Sequence, residues 1–145
     1  MTGSAVHNAE KAPEPVGLYP HARRAGDFLF LSGVGPRQRG TKDIPGVTLD
    51  STGGIVSYDI EAQCRSVFDN VRTILESAGA AWTDLVDVTV FLTNMQEDFA
   101  AYNKLWAEYF AENPPCCTTV EVGALPTPIA IELKCVAVVK KEGNE

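Results

Sequence analysis

An apolar stripe runs along residues 59–78 at steps of three and four residues. Residues at that spacing lie on one face of a helix, so this segment is predicted to form an amphipathic helix. Asp59 is a suitable N-cap, and Gly79 is a suitable residue for ending the helix. The stripe expected to face the core is Ile60, Cys64, Val67, Phe68, Val71, Leu75 and Ala78.

A second helix is predicted from about residue 98 to residue 113, and its stripe is aromatic. Pro114 and Pro115 end it, because a residue that precedes proline is driven towards extended geometry. Aromatic residues at helical spacing most often belong to a core. The predicted stripe is Phe99, Tyr102, Trp106, Tyr109 and Phe110.

Alternating or short apolar runs predict the strands. In residues 85–92, Val86, Val88, Val90 and Leu92 are expected to share one buried face. A hairpin is predicted around the turn Ala25-Gly26-Asp27. The remaining strands are predicted at residues 19–24, 28–32, 55–56, 118–122 and 129–139.

This order of elements predicts an α+β domain with a mixed sheet and two helices on one sheet face. The uncovered face would then favour oligomerisation. Residues 1–15 are polar and lack periodicity, so they are predicted to form a flexible or loosely docked arm. Residues 16–141 are predicted to form the single domain, and residues 33–54 a long loop within it.

Composition is that of an ordinary globular chain. The 145 residues are 45% apolar and 21% charged, which suits one domain with one core. No apolar run approaches the roughly 18 residues of a membrane span, and the N-terminus lacks a signal-peptide pattern. We therefore expect a cytoplasmic protein without a membrane partner.

The formal net charge of −7 disfavours a general nucleic-acid binder, because phosphate contacts need a basic surface. An anionic substrate would require locally clustered cations. Arg23, Arg24, Arg37 and Arg39 form the arginine-dense region. They are either such a binding cluster or solvated hairpin and loop residues.

Four cysteines are present, at Cys64, Cys116, Cys117 and Cys135, and none belongs to a C-x-x-C pair. The histidines lie far from them in sequence. A zinc site is therefore not predicted, and four reduced thiols are expected.

A lone carboxylate interrupts an apolar run at Ile131-Glu132-Leu133. An isolated charge is costly to desolvate, so Glu132 needs a partner or a chemical role. It leaves the strand on the face opposite its neighbours. Lys134 or an arginine could pair with it, or it could serve as a general base.

Upstream motifs extend this pattern: Gly17-Leu18-Tyr19-Pro20-His21-Ala22, Leu31-Ser32-Gly33, and the run from Pro115 to Val122 followed by Leu125-Pro126. Together with Glu132 they resemble the RidA/YjgF/UK114 family of small imine and enamine deaminases. The resemblance covers nearly all of residues 16–140. It implies a chorismate-mutase-like α+β fold, a homotrimer with sites near the subunit interfaces, and hydrolysis without a cofactor.

The resemblance also implies a set of site residues. Glu132 would position or activate the attacking water. The backbone of Thr119 would face the ligand, with Cys117 beside it in the catalytic set. The residues that match the ligand-lining positions are Tyr19, Ser32, Gly33 and Asn103.

Cys117 departs from the family motif, in which an arginine pairs with the substrate's carboxylate. A thiol cannot reproduce the bidentate fork of arginine. The carboxylates could instead be bound by Arg37, with Arg39 or Arg24 as the next choices. Alternatively, Cys117 could act as a thiolate nucleophile, or deaminase activity could have been lost.

The motif Tyr19-Pro20-His21, followed by Arg23-Arg24-Ala25-Gly26-Asp27, resembles the 2-aminomuconate deaminase branch, where the general family has Tyr-Ser-Gln-Ala. That resemblance implies hydrolysis of 2-aminomuconate to 4-oxalocrotonate and ammonia during aromatic degradation. The alternatives are a general 2-aminoacrylate-type deaminase, a non-catalytic or chaperone-like trimer, and an RNA-cleaving protein.

Overall fold

The computed structural model describes residues 5–140, which form one α+β domain. Two helices, eight strands and a short 3₁₀ turn at Trp82–Asp84 make up this part of the chain. The helices are α1 (Ile60–Ser77) and α2 (Met95–Tyr109). The strands are β1 (Ala5–His7), β2 (Ala22–Ala25), β3 (Phe28–Leu31), β4 (Val47–Leu49), β5 (Ile55–Tyr58), β6 (Leu85–Leu92), β7 (Cys116–Glu121) and β8 (Ile131–Val138).

Six strands form one mixed sheet in the order β1-β2-β3-β8-β6-β7. β6 and β7 are parallel, and the other neighbouring strands of this sheet are antiparallel. β4 and β5 pair separately, within and just after the predicted long loop. The predicted fold class, a mixed sheet with two helices, is confirmed.

α1 follows its sequence pattern closely. The Asp59 carboxylate accepts hydrogen bonds from the backbone N–H groups of Glu61 and Ala62, at 2.9 and 3.3 Å. Gly79 has a φ of 82°, a left-handed conformation that glycine adopts without steric cost. Both predicted ends of the helix are therefore confirmed to within a residue.

α2 begins three residues before the predicted start. Its N-cap is Asn94, whose side chain accepts from the Glu97 N–H at 3.2 Å. The buried side of α2 is formed by Asp98, Tyr102 and Leu105, and Phe99 is 41% exposed, so the predicted stripe was wrong at Phe99. Tyr102 and Phe110 are buried as predicted.

β6 contains one departure from strict alternation. Its pairing with β8 shifts register between Leu85 and Asp87. Because a bulge reverses the side-chain alternation, Val86 is 40% exposed and its predicted burial is wrong. Val88, Val90 and Leu92 are buried as expected.

The two sheet faces differ in their surroundings. The central strands are buried on the face towards α1 and α2, and on β8 every second residue from Ile131 to Ala137 belongs to the core. The opposite face is only partly covered, and Phe28 and Phe30 are 48% and 41% exposed there.

The described part of the predicted N-terminal arm packs against the domain. β1 pairs with β2, and Ala9 and Ala12 are 2% and 0% exposed. Residues 1–4 of that arm, and residue 141 of the predicted domain, lie outside the described residues. The division of the chain at residue 16 stays a prediction. Between residues 5 and 140, neither helix has the length and apolar character that a membrane span requires.

Candidate active site

A cavity of about 120 Å³ lies between the N-terminal segment, the loop after β3 and the loop before β8. Strand β3 delivers Ser32 and Gly33 to it, and β8 delivers Glu132. Five of the predicted site residues therefore meet in one place. The lining includes Pro13, Pro15, Tyr19, His21, Ser32, Gly33, Arg37, Ile129 and Glu132.

Glu132 lies against the backbone of Gly33. A Cβ atom at Gly33 would lie 2.5 Å from Oε2 of Glu132 and 3.1 Å from its Cδ. Only a glycine leaves space for the carboxylate in this position. The adjacency of Ser32-Gly33 and Glu132 is thus a steric fit between two segments that are distant in sequence.

Burial raises the pKa of Glu132 above its ordinary value, and the nearby Arg37 guanidinium opposes that rise. Glu132 is half-buried, so its carboxylate is partly desolvated but remains accessible from the cavity. Lys134, the alternative partner, donates its ammonium to the carbonyl of Leu31. Glu132 therefore has the environment expected of a general base rather than that of a surface ion pair.

Arg37 is the predicted carboxylate-binding arginine that lies in the cavity. Its loop is held by α1: Asn70 Nδ2 donates to the carbonyls of Gly35 and Arg37 at 2.8 and 2.7 Å. Ser66 Oγ donates to the carbonyl of Pro36 at 2.7 Å. The roles of Ser66 and Asn70 were not predicted, although two polar residues four apart beside an apolar stripe were a usable signal.

Ser32 fixes the turn that carries Tyr19. Its Oγ donates to the Pro20 carbonyl at 2.7 Å, and its backbone N–H donates to the His21 carbonyl at 3.0 Å. His21 is buried in the cavity wall. No role for His21 was predicted from the sequence, in which it appeared only as part of a motif.

Arg24 and Arg39 do not line the cavity. Arg24 lies on the β2–β3 hairpin, where it donates to the carbonyls of Gly26 and Val139 at 3.0 and 2.5 Å. Arg39 donates to the Ala12 carbonyl at 2.8 Å. Within the subunit, both arginines therefore make backbone contacts outside the cavity.

Cys117 and Thr119 form a second cluster with Tyr102. The Tyr102 hydroxyl lies 3.3 Å from Cys117 Sγ and 3.4 Å from Thr119 Oγ1. Burial is the main cause of the raised pKa of Tyr102. This cluster lies on β7 and α2 outside the cavity lining, and Asn103 is exposed on α2. Tyr102 was expected only as a core residue.

The cysteines are free thiols, of which Cys64 and Cys135 are buried and Cys116 and Cys117 exposed. Burial raises the pKa of Cys64 and of Cys135 to about 12, which favours the neutral thiol. Among residues 5–140, no group of three or more His, Cys, Asp or Glu side chains could hold a metal ion.

The fold and the cavity define a class of small α+β proteins that bring a half-buried carboxylate and a guanidinium together in one cleft. A family model described as endoribonuclease L-PSP matches residues 9–139 of the chain. The chain belongs to that family, which is the RidA/YjgF family.

Individual relatives support this assignment. A RutC family protein of Pyrococcus horikoshii is 41% identical over 128 residues, which cover 88% of this chain and 92% of the relative. Reactive Intermediate Deaminase A, chloroplastic, of Arabidopsis thaliana is 36% identical over 132 residues, covering 91% of this chain and 64% of the relative. The crystal structure of the YjgF gene product of E. coli is similar at a TM-score of 0.78 and 31% identity, over 94% of this chain and 99% of that one.

Proposed function

We propose that this protein is a cofactor-independent deaminase that hydrolyses a small enamine or imine dicarboxylate, with 2-aminomuconate as the best candidate. The observation that carries the proposal is the half-buried Glu132 carboxylate beside Arg37 in a small cavity. The relative named Reactive Intermediate Deaminase A supports the reaction class. A cytoplasmic location and a role in aromatic degradation are part of the proposal.

The reaction needs only proton transfers and water. Protonation of the enamine carbon gives an iminium, whose carbon is already electrophilic. Glu132 removes a proton from water as the water oxygen bonds to that carbon. The acid form of Glu132 then returns the proton to nitrogen, and the C–N bond breaks as ammonia leaves. The hydroxyl group gives its proton to the Glu132 carboxylate as the C=O bond forms, which balances the proton that the enamine carbon took up. For 2-aminomuconate, the products are 4-oxalocrotonate and ammonia.

Substrate recognition follows from the charges of the cavity. Arg37 would bind one carboxylate of the substrate through its guanidinium fork. A local cation can attract a dianion despite the formal net charge of −7, because a cleft focuses the field of its lining charges. Tyr19, Ser32 and Gly33 would shape the cavity around the carbon chain.

Cys117, Thr119 and Asn103 enter this proposal through the assembly. They are placed on β7 and α2, outside the cavity of their own subunit. In the proposed homotrimer, a neighbouring subunit would bring its β7 surface to the cavity mouth, with Arg24 and Arg39 as further sources of positive charge. Cys117 and Thr119 would then contact the substrate's second end.

A non-catalytic ligand-binding or chaperone-like trimer is the second candidate. The observation in its favour is Cys117, a thiol hydrogen-bonded to Tyr102 where the family motif has arginine. A general deaminase of 2-aminoacrylate-type enamines is the alternative within the enzyme class. The family's endoribonuclease description raises RNA cleavage, which the acidic charge balance disfavours.

The test uses freshly generated 2-aminomuconate and 2-aminoacrylate, with substrate absorbance and ammonia release as readouts. We expect turnover of 2-aminomuconate. Glu132→Gln should lower kcat by about 10²-fold or more without changing the melting temperature, because the amide cannot accept the proton. Glu112→Gln, on the exposed surface, is the matched control.

The other outcomes separate the candidates. Dicarboxylate binding without ammonia release would favour the non-catalytic trimer, and turnover of 2-aminoacrylate alone would favour the general deaminase. RNA cleavage that survives Glu132→Gln would point to the nuclease. Wild-type ammonia release by Glu132→Gln would remove Glu132 from the mechanism.

A further inference from the structure

Residues 9–15, called here the N-terminal strap, form one wall of the cavity. Pro13 and Pro15 line it directly. Ala9, Ala12 and Pro13 are buried, so the strap is packed against the domain along much of its length. What holds the strap therefore also decides the shape of the cavity.

His21 holds the strap at two points. Its Nδ1 accepts from the Ala9 backbone N–H at 2.9 Å, and its Nε2 donates to the Pro13 carbonyl at 2.7 Å. A backbone N–H can only donate and a carbonyl can only accept, so the ring is neutral with its proton on Nε2. His21 is 8% exposed and thus makes both bonds largely shielded from water.

The strap in turn contacts Arg37. The Nη2 group of Arg37 donates to the Glu14 carbonyl at 2.7 Å, one residue beyond the Pro13 carbonyl that His21 binds. Asn70 on α1 fixes the backbone of Arg37 by donating to its carbonyl at 2.7 Å. The loop position is therefore set by α1, whereas the direction of the guanidinium depends on the strap.

We propose that His21 is a positioning residue that, through the N-terminal strap, aims the Arg37 guanidinium at a carboxylate of the ligand. An arginine has five N–H donors, so the bond to Glu14 leaves others for the ligand. The inference rests on the proposed function, since it assigns the charge of that ligand. The strap supplies no reacting group. It acts by holding the Arg37 guanidinium and by forming one wall of the cavity.

The test compares His21→Phe with wild type for muconate, a dicarboxylate that lacks the reacting amino group. His21→Phe keeps an aromatic ring but removes both hydrogen bonds. We expect the Kd for muconate and the KM for 2-aminomuconate to rise about tenfold, because a charged hydrogen bond loses its geometry. The kcat should stay within about twofold, since Glu132 is held by β8 and Gly33.

A double-mutant cycle separates positioning from a general structural effect. In an Arg37→Ala background, His21→Phe should cause no further loss of muconate affinity, because the cation that it positions is already absent. His7→Phe is the matched control: it lies on β1 and does not line the cavity. His21→Gln, which retains a side-chain amide donor for Pro13, should recover part of the affinity.

Three results would overturn the inference: unchanged muconate affinity in His21→Phe, an equal loss with and without Arg37, or no muconate binding by wild type. Should His21→Phe fold poorly, His21→Gln and the exchange rate of the Ala9 amide decide the same question, and an unchanged exchange rate counts against it. Muconate binding without 2-aminomuconate turnover would contradict the proposed function but not the role of His21, because the affinity measurements need no catalysis.

Discussion

At the scale of single residues, the site depends on the absence of a side chain at Gly33 as well as on the carboxylate of Glu132. Gly33 supplies no side chain, and the Glu132 carboxylate occupies the space that a Cβ would need. Arg37 then moderates the effect of burial on the Glu132 pKa. Gly33 thus leaves the space that the Glu132 carboxylate occupies, and Arg37 influences its pKa through charge.

Gly33→Ala should damage catalysis more than folding. The new methyl group meets the far end of the flexible Glu132 side chain, which can move aside at little cost in stability. We expect kcat for 2-aminomuconate to fall about 10²-fold, because a displacement near 1 Å is enough for that loss. Gly123→Ala, which meets nothing within 4 Å, is the control. A large fall in the melting temperature of Gly33→Ala, with the lost activity explained by unfolded protein, would contradict this expectation.

Arg37→Ala should move the pH dependence of kcat/KM. The base form of Glu132 must be ionised, and burial already places its pKa above the ordinary value. Removing the guanidinium removes the opposing influence, so the pKa rises further and the acid limb moves to higher pH. Arg37→Lys should return the acid limb most of the way to its wild-type pH. An acid limb at the wild-type pH in Arg37→Ala would show that the two groups do not interact.

At the scale of elements, a polar contact joins the β4–β5 hairpin to the start of α2. The Tyr58 hydroxyl donates to Asp98 Oδ2 at 2.6 Å, and Asp98 is 4% exposed. Burial raises the Asp98 pKa, and the hydrogen bond from Tyr58 lowers it in part. The sequence prediction began the helix at about Asp98, because the capping role of Asn94 was overlooked.

Tyr58→Phe should destabilise the protein more at neutral than at acid pH. The pKa of Asp98 is raised in the folded protein, so its contribution to stability is present at low pH and is lost as the pH rises through that pKa. Removing the Tyr58 hydroxyl raises the pKa of Asp98 further, so more stability is lost at neutral pH. We expect the free energy of unfolding to fall by about 1–3 kcal/mol near neutral pH and by less near pH 4. Urea unfolding at both pH values measures it, with Tyr109→Phe as the control. A loss that is independent of pH would contradict the charged form of this bond.

At the scale of the whole molecule, the sheet has one covered and one open face. Phe28 and Phe30 are exposed on the open face, and Val136 and Val138 are half-buried beside them. Exposed apolar surface of this kind marks an interface. We therefore expect the open face to form the interior of the proposed homotrimer.

Phe30→Glu should prevent assembly without unfolding the subunit. A buried carboxylate without a partner is costly, so three of them around a symmetric interface would oppose association. Analytical ultracentrifugation should report a smaller species than wild type. Asp69→Lys, on the exposed outer side of α1, should leave the mass of the assembly unchanged. A Phe30→Glu protein of wild-type mass would place the interface elsewhere.

Local pattern was sufficient for most of the elements. The ends of α1 follow from Asp59 and Gly79, and the β2–β3 hairpin follows from its glycine turn. The error at Val86 arose where a bulge shifts the side-chain phase, and the error at Phe99 arose because Asp98 and Leu105, rather than Phe99, share the buried side of α2 with Tyr102. A bulge leaves the apolar composition of a strand unchanged, so periodicity alone cannot detect it.

By itself, the sequence determined the fold class, the helices and the candidate acid, because hydrophobic spacing and caps are local properties. Only the tertiary structure decided that Glu132 lies against Gly33, that Arg37 rather than Arg24 or Arg39 lines the cavity, and that His21 holds the strap. These relations join segments far apart in the chain, and their energies depend on distances of a few ångströms that no linear pattern encodes.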